Sequence, residues 1–429
     1  MKYYIETLGC KVNQYESQAV GSLLEERGHS RAGESDADVV IINTCAVTAE
    51  SERKSKRAAR RLKARNPKAL IAVCGCCSQL NPDTFIEAGA DVVFGSADKA
   101  AFIAQTERVI ADPSLSGLRN TDDPALRRTF ESLPPGAYAG RARAVLKIQD
   151  GCDNGCRYCI IPFARGRSRS LPFAEAVHSA AQLAERGFGE IVLTGTEISS
   201  YGADLEGRPC LTDLTEAISG AAPRTRIRLG SLDPCCITES FCRKIAATGK
   251  VCRHFHLSLQ SGCDATLKRM GRKYNTAGFF EALSLLREYF PGCAAACDLI
   301  AGFPGETDED HSETMEFISK CSFAFMHVFS FSERPGTQAA LMEGRLPKAI
   351  KAQRTEEVRR AAREMQDAYL QSRKGETLPV LFEKNSRGMS AGRGDNYCEV
   401  AVPGYFERGI VKNVQISGVS CGMLVGVTV

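Results

Sequence analysis

The sequence predicts an α/β protein in three parts: an amino-terminal parallel α/β domain, a central partial (β/α)6 barrel and a small carboxyl-terminal β-barrel. Three observations lead there. Short apolar runs alternate with helical patterns from the first residues onward, as in parallel strands joined by helices. Six such units fall between Arg143 and Phe331. After Gly375 the text turns strand-like and is punctuated by Gly and Asn, with no helical period. A chain of 429 residues has room for about two to four domains, and the expected boundaries are 1–112, 138–373 and 375–429.

Composition narrows the class. Lys and Arg number 55 against 51 Asp and Glu, so any basic surface must be local rather than global. The opening Met-Lys-Tyr-Tyr-Ile-Glu lacks an apolar signal core, and no run of about eighteen apolar residues occurs. A cytoplasmic protein without membrane partners is expected. Nineteen cysteines in a reducing compartment point to metal or cluster ligation rather than disulfides. Cys235, Cys236, Cys242, Cys252, Cys293, Cys297 and Cys321 read as small core residues.

In the first part, strands are expected at Lys2 to Thr7, Asp38 to Ile42 and Ala69 to Val73. Each leads to a cysteine: Cys10, Cys45 and then the group Cys74, Cys76, Cys77. Ligands of parallel α/β sheets collect at the carboxyl ends of the strands, so three thiolates can converge on one rim. On spacing alone, core cysteine and ligand are equal readings here. Alternation along the strand puts Cys74 and Cys76 on one face, with Cys74 as core and Gly75 turning Cys76 across the rim. Ser51 to Arg65 holds eight basic residues and one acid, either a solvated helix face or a phosphate contact. From Ala111 to Gly140, the pairs Asp112-Pro113, Asp123-Pro124 and Pro134-Pro135 read as a linker.

The central part opens on Cys152-Asp-Asn-Gly-Cys156-Arg-Tyr-Cys159. Thiolates spaced C-x-x-x-C-x-x-C can close on three irons of one [4Fe–4S] cube and leave the fourth iron open for a substrate. Zinc prefers four ligands, and the next candidates, His178 and Cys210, lie well beyond the motif. The remaining strands deliver Gly195-Thr196-Glu197, Gly230-Ser231, Gln260-Ser261-Gly262, Gly302-Phe303-Pro304-Gly305 and Ser332-Glu333-Arg334 to loops, where function is expected in β/α barrels. Lys268 to Tyr274 adds a basic run with one aromatic. Lys348 to Lys374 reads as a charged amphipathic helix. Strands are then expected at Leu378 to Phe382, Tyr397 to Val402, Ile410 to Ile416 and Met423 to Val429, in a barrel of OB type.

The cysteine loop with its flanks, Lys147 to Gly151 and Ile160 to Arg167, closely resembles the radical S-adenosylmethionine (SAM) motif of the methylthiotransferases. Thr7-Leu8-Gly9-Cys10, Asn43-Thr44-Cys45 and Gly75-Cys76-Cys77-Ser78-Gln79 are similar to the three cysteine motifs of that family's amino-terminal domain. The central part resembles its radical SAM core from about Arg141 to Arg373, and the tail resembles its RNA-binding TRAM module. The tail's five basic and five acidic residues depart from a strongly basic RNA surface.

The resemblance implies two [4Fe–4S] clusters, one on Cys152, Cys156 and Cys159 and one on Cys10, Cys45 and Cys76. It implies SAM contacts from Gly195, Thr196, Glu197, Ser231 and Gln260. The first cluster would cleave SAM to a 5′-deoxyadenosyl radical, and the second would carry sulfur that a second SAM methylates. The expected product is a C2-methylthio adenine in the anticodon stem-loop of tRNA, with an external electron donor and a sulfur source as partners. Gly9 to Ser17 looks most like the branch acting on N6-threonylcarbamoyladenosine, 3′-adjacent to the anticodon. The branches acting on isopentenyladenosine or on a ribosomal-protein aspartate are the alternatives within the family. From another class, a zinc-bearing RNA-binding protein is the rival.

Overall fold

The computed structural model describes residues 1–136 and 141–429 and divides into two compact units. One comprises Met1–Tyr138, Lys147–Leu171 and Glu333–Ala340; the other comprises Ala139–Leu146, Pro172–Ser332 and Leu341–Val429. The boundary expected at residue 138 lies outside the described residues.

The first unit is built on a six-stranded parallel sheet. Its strands are β1 (Lys2–Thr7), β2 (Ser30–Arg31), β3 (Val39–Thr44), β4 (Leu70–Gly75), β5 (Val92–Phe94) and β6 (Leu118–Asn120), in the order β2-β1-β3-β4-β5-β6. Strand β3 is buried along its whole length, as a central strand covered on both faces must be. One face packs with Ala58, Ala59, Leu62 and Phe85, the other with Val20, Leu24, Phe102 and Val109. The helix Ala49–Arg65 starts at Thr48, whose hydroxyl accepts from Ser51 N at 3.1 Å. Glu50 and Glu52 in its first turn and Lys63 and Arg65 in its last complement the helix dipole.

Two expectations change here. Strands β3 and β4 run two residues further than their apolar runs, because Asn43, Thr44 and Gly75 continue the ladder. The segment read as a linker supplies the edge strand β6. Its Arg127 also donates to Gln79, Ser96 and Asp122, and its Leu133 carbonyl accepts from Tyr15 Oη at 2.7 Å. Few apolar residues mark this segment, so its anchoring by hydrogen bonds left no periodic trace.

A buried ion cluster joins the segment Lys147–Leu171 to the sheet. Lys147 Nζ donates to Glu16 Oε1 and to Asp150 Oδ2, each at 2.8 Å. Arg165 donates to Glu16 at 2.8 Å and to Asp150 at 3.0 Å, and Arg169 lies 3.6 Å from Asp150. The side chains of Glu16 and Lys147 are fully excluded from solvent. Burial opposes ionisation of Glu16 and Asp150, but the cations around them, Arg165 first, hold both carboxyls well below their usual range.

The second unit carries the partial barrel. Its strand positions are β7 (Arg143–Lys147), β10 (Glu190–Thr194), β11 (Arg226–Leu229) with β12 (Ser231–Leu232), β13 (His254–Gln260), β14 (Ala294–Ala301) and β15 (Phe325–Ser330). They run in sequence order as β11-β10-β7 and β12-β13-β14-β15, with Gly230 at the break. The short antiparallel strands β8 (Gln149–Asp150) and β9 (Arg169–Ser170) belong to the first unit. The helix Lys348–Gln371 lies along β15, where Arg359 donates to Val328 O.

The tail forms a closed barrel of β16 (Thr377–Ser386), β17 (Met389–Gly394), β18 (Glu399–Pro403), β19 (Val411–Ser420) and β20 (Met423–Thr428). Strand β17 was not expected. Its sequence Met-Ser-Ala-Gly-Arg-Gly lacks apolar alternation, and Gly392 is required because a Cβ there would lie 2.1 Å from Leu381 O. The tail is also more tightly held than a tethered appendage. Arg226 and Arg228 clasp the buried Glu190 and donate onward to the carbonyls of Pro379, Arg393, Gly394 and Asp395. Arg228 also lies over the Tyr397 ring, 5.0 Å from its centroid.

Two outcomes are expected from these buried charges. Glu190→Ala strands two arginines and should cost about 3–5 kcal/mol, lowering the thermal midpoint, while the exposed pair Glu239–Arg243 can be removed without a resolvable change. With Glu16 and Asp150 depressed in the folded state, the unfolded chain takes up protons first as pH falls. Their stabilisation is therefore complete above about pH 5 and declines below the ordinary carboxylate range. Denaturant midpoints measured between pH 7 and about pH 2 should show that decline, and Glu16→Gln should flatten it.

Candidate functional site

Three thiols stand at the carboxyl ends of three adjacent strands. Cys10 precedes the helix Lys11–Glu26 that follows β1, Cys45 follows β3, and Cys76 opens the short helix Cys76–Leu80 after β4. Cys10 is exposed, whereas Cys45 and Cys76 are buried. Gly9 at φ +99° brings the chain so close that a Cβ there would sit 2.7 Å from Cys45 Cβ. Asn13 laces the strand ends together: its Nδ2 donates to Leu8 O at 2.7 Å and to Thr44 O at 2.9 Å. Asn43 returns a bond to Asn13 O and another to Ser17 Oγ, each at 3.1 Å.

The expected shared face of Cys74 and Cys76 does not hold. Gly75 adopts φ +111°, and a side chain there would meet Asn43 Oδ1 at 2.5 Å and Thr44 O at 2.6 Å. That glycine-only turn interrupts the strand alternation. Cys74 packs with Tyr3, Val20 and Phe102, while Cys76 and Cys77 join the opposite core with Val40, Ile42 and Phe85. Cys74 is core, as expected, but for a different geometric reason.

Arg165 lies in the flank of the cysteine-loop motif, where spacing suggests no role for it, yet it sits fully buried beside this rim. Its Nε donates to Cys76 Sγ at 3.2 Å and its Nη2 to Asn13 Oδ1 at 2.9 Å, while Nη1 reaches Glu16 and Asp150. Burial pushes the Cys76 thiol up to about 12, and Arg165 opposes that shift. Burial also raises the Cys45 thiol. A ligand set of this kind loses protons when a metal binds, and its sulfur donors suit iron–sulfur or zinc chemistry.

The loop with Cys152, Cys156 and Cys159 is closed at its base by the pairing of Gln149 with Ser170 and of Asp150 with Arg169. Gln149 Nε2 bonds Gly151 O at 2.7 Å, and Cys152 N donates to Gly166 O at 3.1 Å. All three cysteines are half-buried. Backbone amides already face their sulfurs: Asn154 N lies 3.5 Å from Cys152 Sγ, and Ile161 N lies 3.5 Å from Cys159 Sγ. Amides so placed stabilise thiolates, so the loop fits a cluster held by three cysteines.

In the second unit, Gly195, Thr196 and Glu197 follow β10, Ser231 begins β12 and Gln260 ends β13. Glu197 Oε1 accepts from Ser199 N at 3.2 Å; burial, then the nearby Asp233, push its carboxyl above the usual range. Such a carboxyl gains from a cation placed beside it, which suits an amino group. Gln260 has φ +66° at a register shift against β14, a strained backbone of the kind that gathers at ligand sites. Ser231 Oγ lies 2.8 Å from His256 Nδ1. Asp233, two residues beyond Ser231, accepts from Arg272 at 2.9 Å, and its backbone N–H donates to Ser199 Oγ at 2.8 Å.

Comparison with known proteins matches two parts of the chain to two different family profiles. The radical SAM superfamily profile matches residues 146–318, and that of an uncharacterized protein family, UPF0004, matches residues 2–95. The threonylcarbamoyladenosine tRNA methylthiotransferase MtaB of Bacillus subtilis is 36% identical over 93% of this chain and 89% of its own length. Its Aquifex aeolicus namesake is 33% identical over 97% of this chain and 100% of its own. A tRNA-2-methylthio-N(6)-dimethylallyladenosine synthase of Chlorobium phaeobacteroides is 33% identical over 99% and 96%. Among solved structures, the radical SAM methyltransferase TsrM of Kitasatospora setae, with cobalamin and a [4Fe–4S] cluster bound, superposes with a TM-score of 0.55. That match covers 91% of this chain and 80% of TsrM at 15% identity, and is a likeness of fold. Among the described residues no helix is long and apolar enough to cross a membrane. With relatives this similar along nearly its whole length, the chain belongs to the radical SAM methylthiotransferases, enzymes that use SAM and [4Fe–4S] chemistry.

Proposed function

We propose that this enzyme adds a methylthio group to C2 of N6-threonylcarbamoyladenosine, 3′-adjacent to the anticodon of tRNA, in the cytoplasm. The observation that carries the reading is the presence of two separate three-cysteine sets in one chain, each on its own scaffold. Cys152, Cys156 and Cys159 would hold the cluster that binds SAM, and Cys10, Cys45 and Cys76 the cluster that holds sulfur. When bound, these groups supply the electron for SAM cleavage and the sulfur to be transferred. The chain's own residues position and shield: Arg165 sets the Cys76 thiol, and Asn13 fixes the strand ends. Gly195, Thr196, Glu197, Ser231 and Gln260 would receive SAM. An external electron donor and a sulfur source are required partners.

The motif Gly9 to Ser17 and the relatives named for threonylcarbamoyladenosine support the substrate. The Chlorobium relative favours a second reading, an adenine with a dimethylallyl group. An RNA partner is supported by an open cavity of about 930 Å³ beside the helix Ala49–Arg65. Arg53, Lys56, Arg57, Arg60, Arg61 and Arg334 line it, against Glu52 and Glu333. Intramolecular pairing explains part of that charge: Arg61 bonds Glu6 and Glu34, and Lys56 bonds Glu52. Among the described residues, Arg57 and Arg60 have no such partner, and phosphates would supply one.

Four measurements test this reading. Nucleoside mass spectrometry of tRNA from a deletion strain should show loss of the methylthio group from threonylcarbamoyladenosine; loss from the dimethylallyl nucleoside instead would establish the second reading. Anaerobically reconstituted protein should be brown and hold about two four-iron cubes, with zinc and no colour as the contrary result. Cys156→Ala should lose one cube and all SAM cleavage. Cys76→Ala should lose the other cube and methylthiolation but keep SAM cleavage, while Cys74→Ala and Cys77→Ala keep both cubes. Arg57→Glu with Arg60→Glu should weaken tRNA binding and reduce its salt slope by about one for each phosphate no longer neutralised.

A further inference from the structure

Outside the cysteine sets, three titratable side chains gather on adjacent strands of the second unit. Ligand atoms of His256 on β13, Asp298 on β14 and His327 on β15 all lie within 4.8 Å of one another. The strand pattern shows which face they share. On β13, Phe255, Leu257 and Leu259 are buried, whereas His256, Ser258 and Gln260 are half-buried. On β14, Cys297 and Leu299 are buried, whereas Asp298 and Ile300 are half-buried. His256 pairs in register with Ala296, so Asp298 falls on the same face, and Asp298 pairs directly with His327. Ser231 pairs in register with His256 and lies on this face as well.

The side chains form a polar row. Ser231 Oγ lies 2.8 Å from His256 Nδ1, and His256 Nε2 lies 3.2 Å from Asp298 Oδ1. The His256 and His327 rings are 5.7 Å apart between centroids. His256 is thus held from both sides, while the Asp298 side chain stays 30% exposed and His327 is exposed, so both can meet a ligand.

We propose that Asp298 and His327, with His256 positioning the carboxylate, form the subsite that reads a polar substituent on N6 of the adenine. The proposal rests on the tRNA reading above and decides between its two substrates. A threonylcarbamoyl group offers a hydroxyl and an N–H to a carboxylate acceptor, and a carboxylate to an imidazole N–H. A dimethylallyl group offers neither. Bringing it here would strip water from Asp298 and His327 with nothing in return, and sites built to bond a polar group reject the apolar analogue strongly.

The test uses the reconstituted full chain and three anticodon stem-loops that differ only at N6: threonylcarbamoyl, dimethylallyl or unmodified. The parent enzyme should bind and methylthiolate the threonylcarbamoyl RNA with a preference of about 100-fold or more over the dimethylallyl RNA. Asp298→Leu and His327→Phe should each erase at least about tenfold of that preference, through weaker binding of the threonylcarbamoyl RNA, with affinity for unmodified RNA unchanged. His327→Gln, which keeps an N–H donor, should restore part of it, a rescue that a folding defect would not give. If Asp298→Leu fails to hold iron, Asp298→Asn carries the same comparison. Full preference retained in both variants would overturn this assignment and leave the tRNA reading standing; no reaction of the parent with either modified RNA would overturn both. A third metal per chain besides the clusters, lost in Asp298→Asn, would overturn it in favour of a cation site.

Discussion

The first unit depends on one buried guanidinium. Arg165 donates to Cys76, Asn13, Glu16 and Asp150, and so joins a sheet-domain thiol, the first helix and the base of the cysteine loop. Ionised groups out of water are tolerable only when each is matched, and here Lys147 and Arg169 complete the match for two carboxylates. Such a cluster adds little net stability over an apolar core. What it supplies is geometric definition, because each hydrogen bond fixes a donor against a particular acceptor.

Around that point the sheet does the placing. Three parallel strands in the order β1, β3, β4 end together, and each hands the chain to a cysteine before the next helix. Glycines at positions 9 and 75 permit the close approach and the sharp turn that neighbouring side chains would forbid. The loop of Cys152 works differently. Its spacing is local, its base is pinned by a two-residue ladder, and its amides point at sulfur without help from distant strands.

The second unit pairs a partial barrel with a closed one through arginines as well as an apolar seam, in which Phe325, Tyr369 and Leu370 pack with the tail's core. Arg226 and Arg228 each serve Glu190 and the tail's carbonyls at once, so the tail barrel shares the fate of the strands beneath it. Three of the tail's acids join the attachment, Glu383 with Arg143 and both Glu376 and Asp395 with Arg253. This arrangement explains how a barrel with balanced charge can be firmly placed, while the concentrated positive charge of the chain lies on the helix Ala49–Arg65.

The sequence by itself determined the elements whose causes are local. Short apolar runs marked β1, β3, β4 and the main barrel strands, though not β2, β5, β6 or β12, while C-x-x-x-C-x-x-C marked its loop and the cysteine-bearing strand ends marked the rim. Tertiary structure decided what depends on residues far apart in the chain. Arg165 and Glu16 are separated by 149 positions, and no period or spacing relates them. Strand β17 carries no hydrophobic signature, because the close backbone crossing demands glycine at position 392. The faces of Cys74 and Cys76 were set by one backbone angle at Gly75, a property that the letters permit but do not state. His256, Asp298 and His327 are unremarkable letters in three separate strands, and only the register of the sheet makes them neighbours.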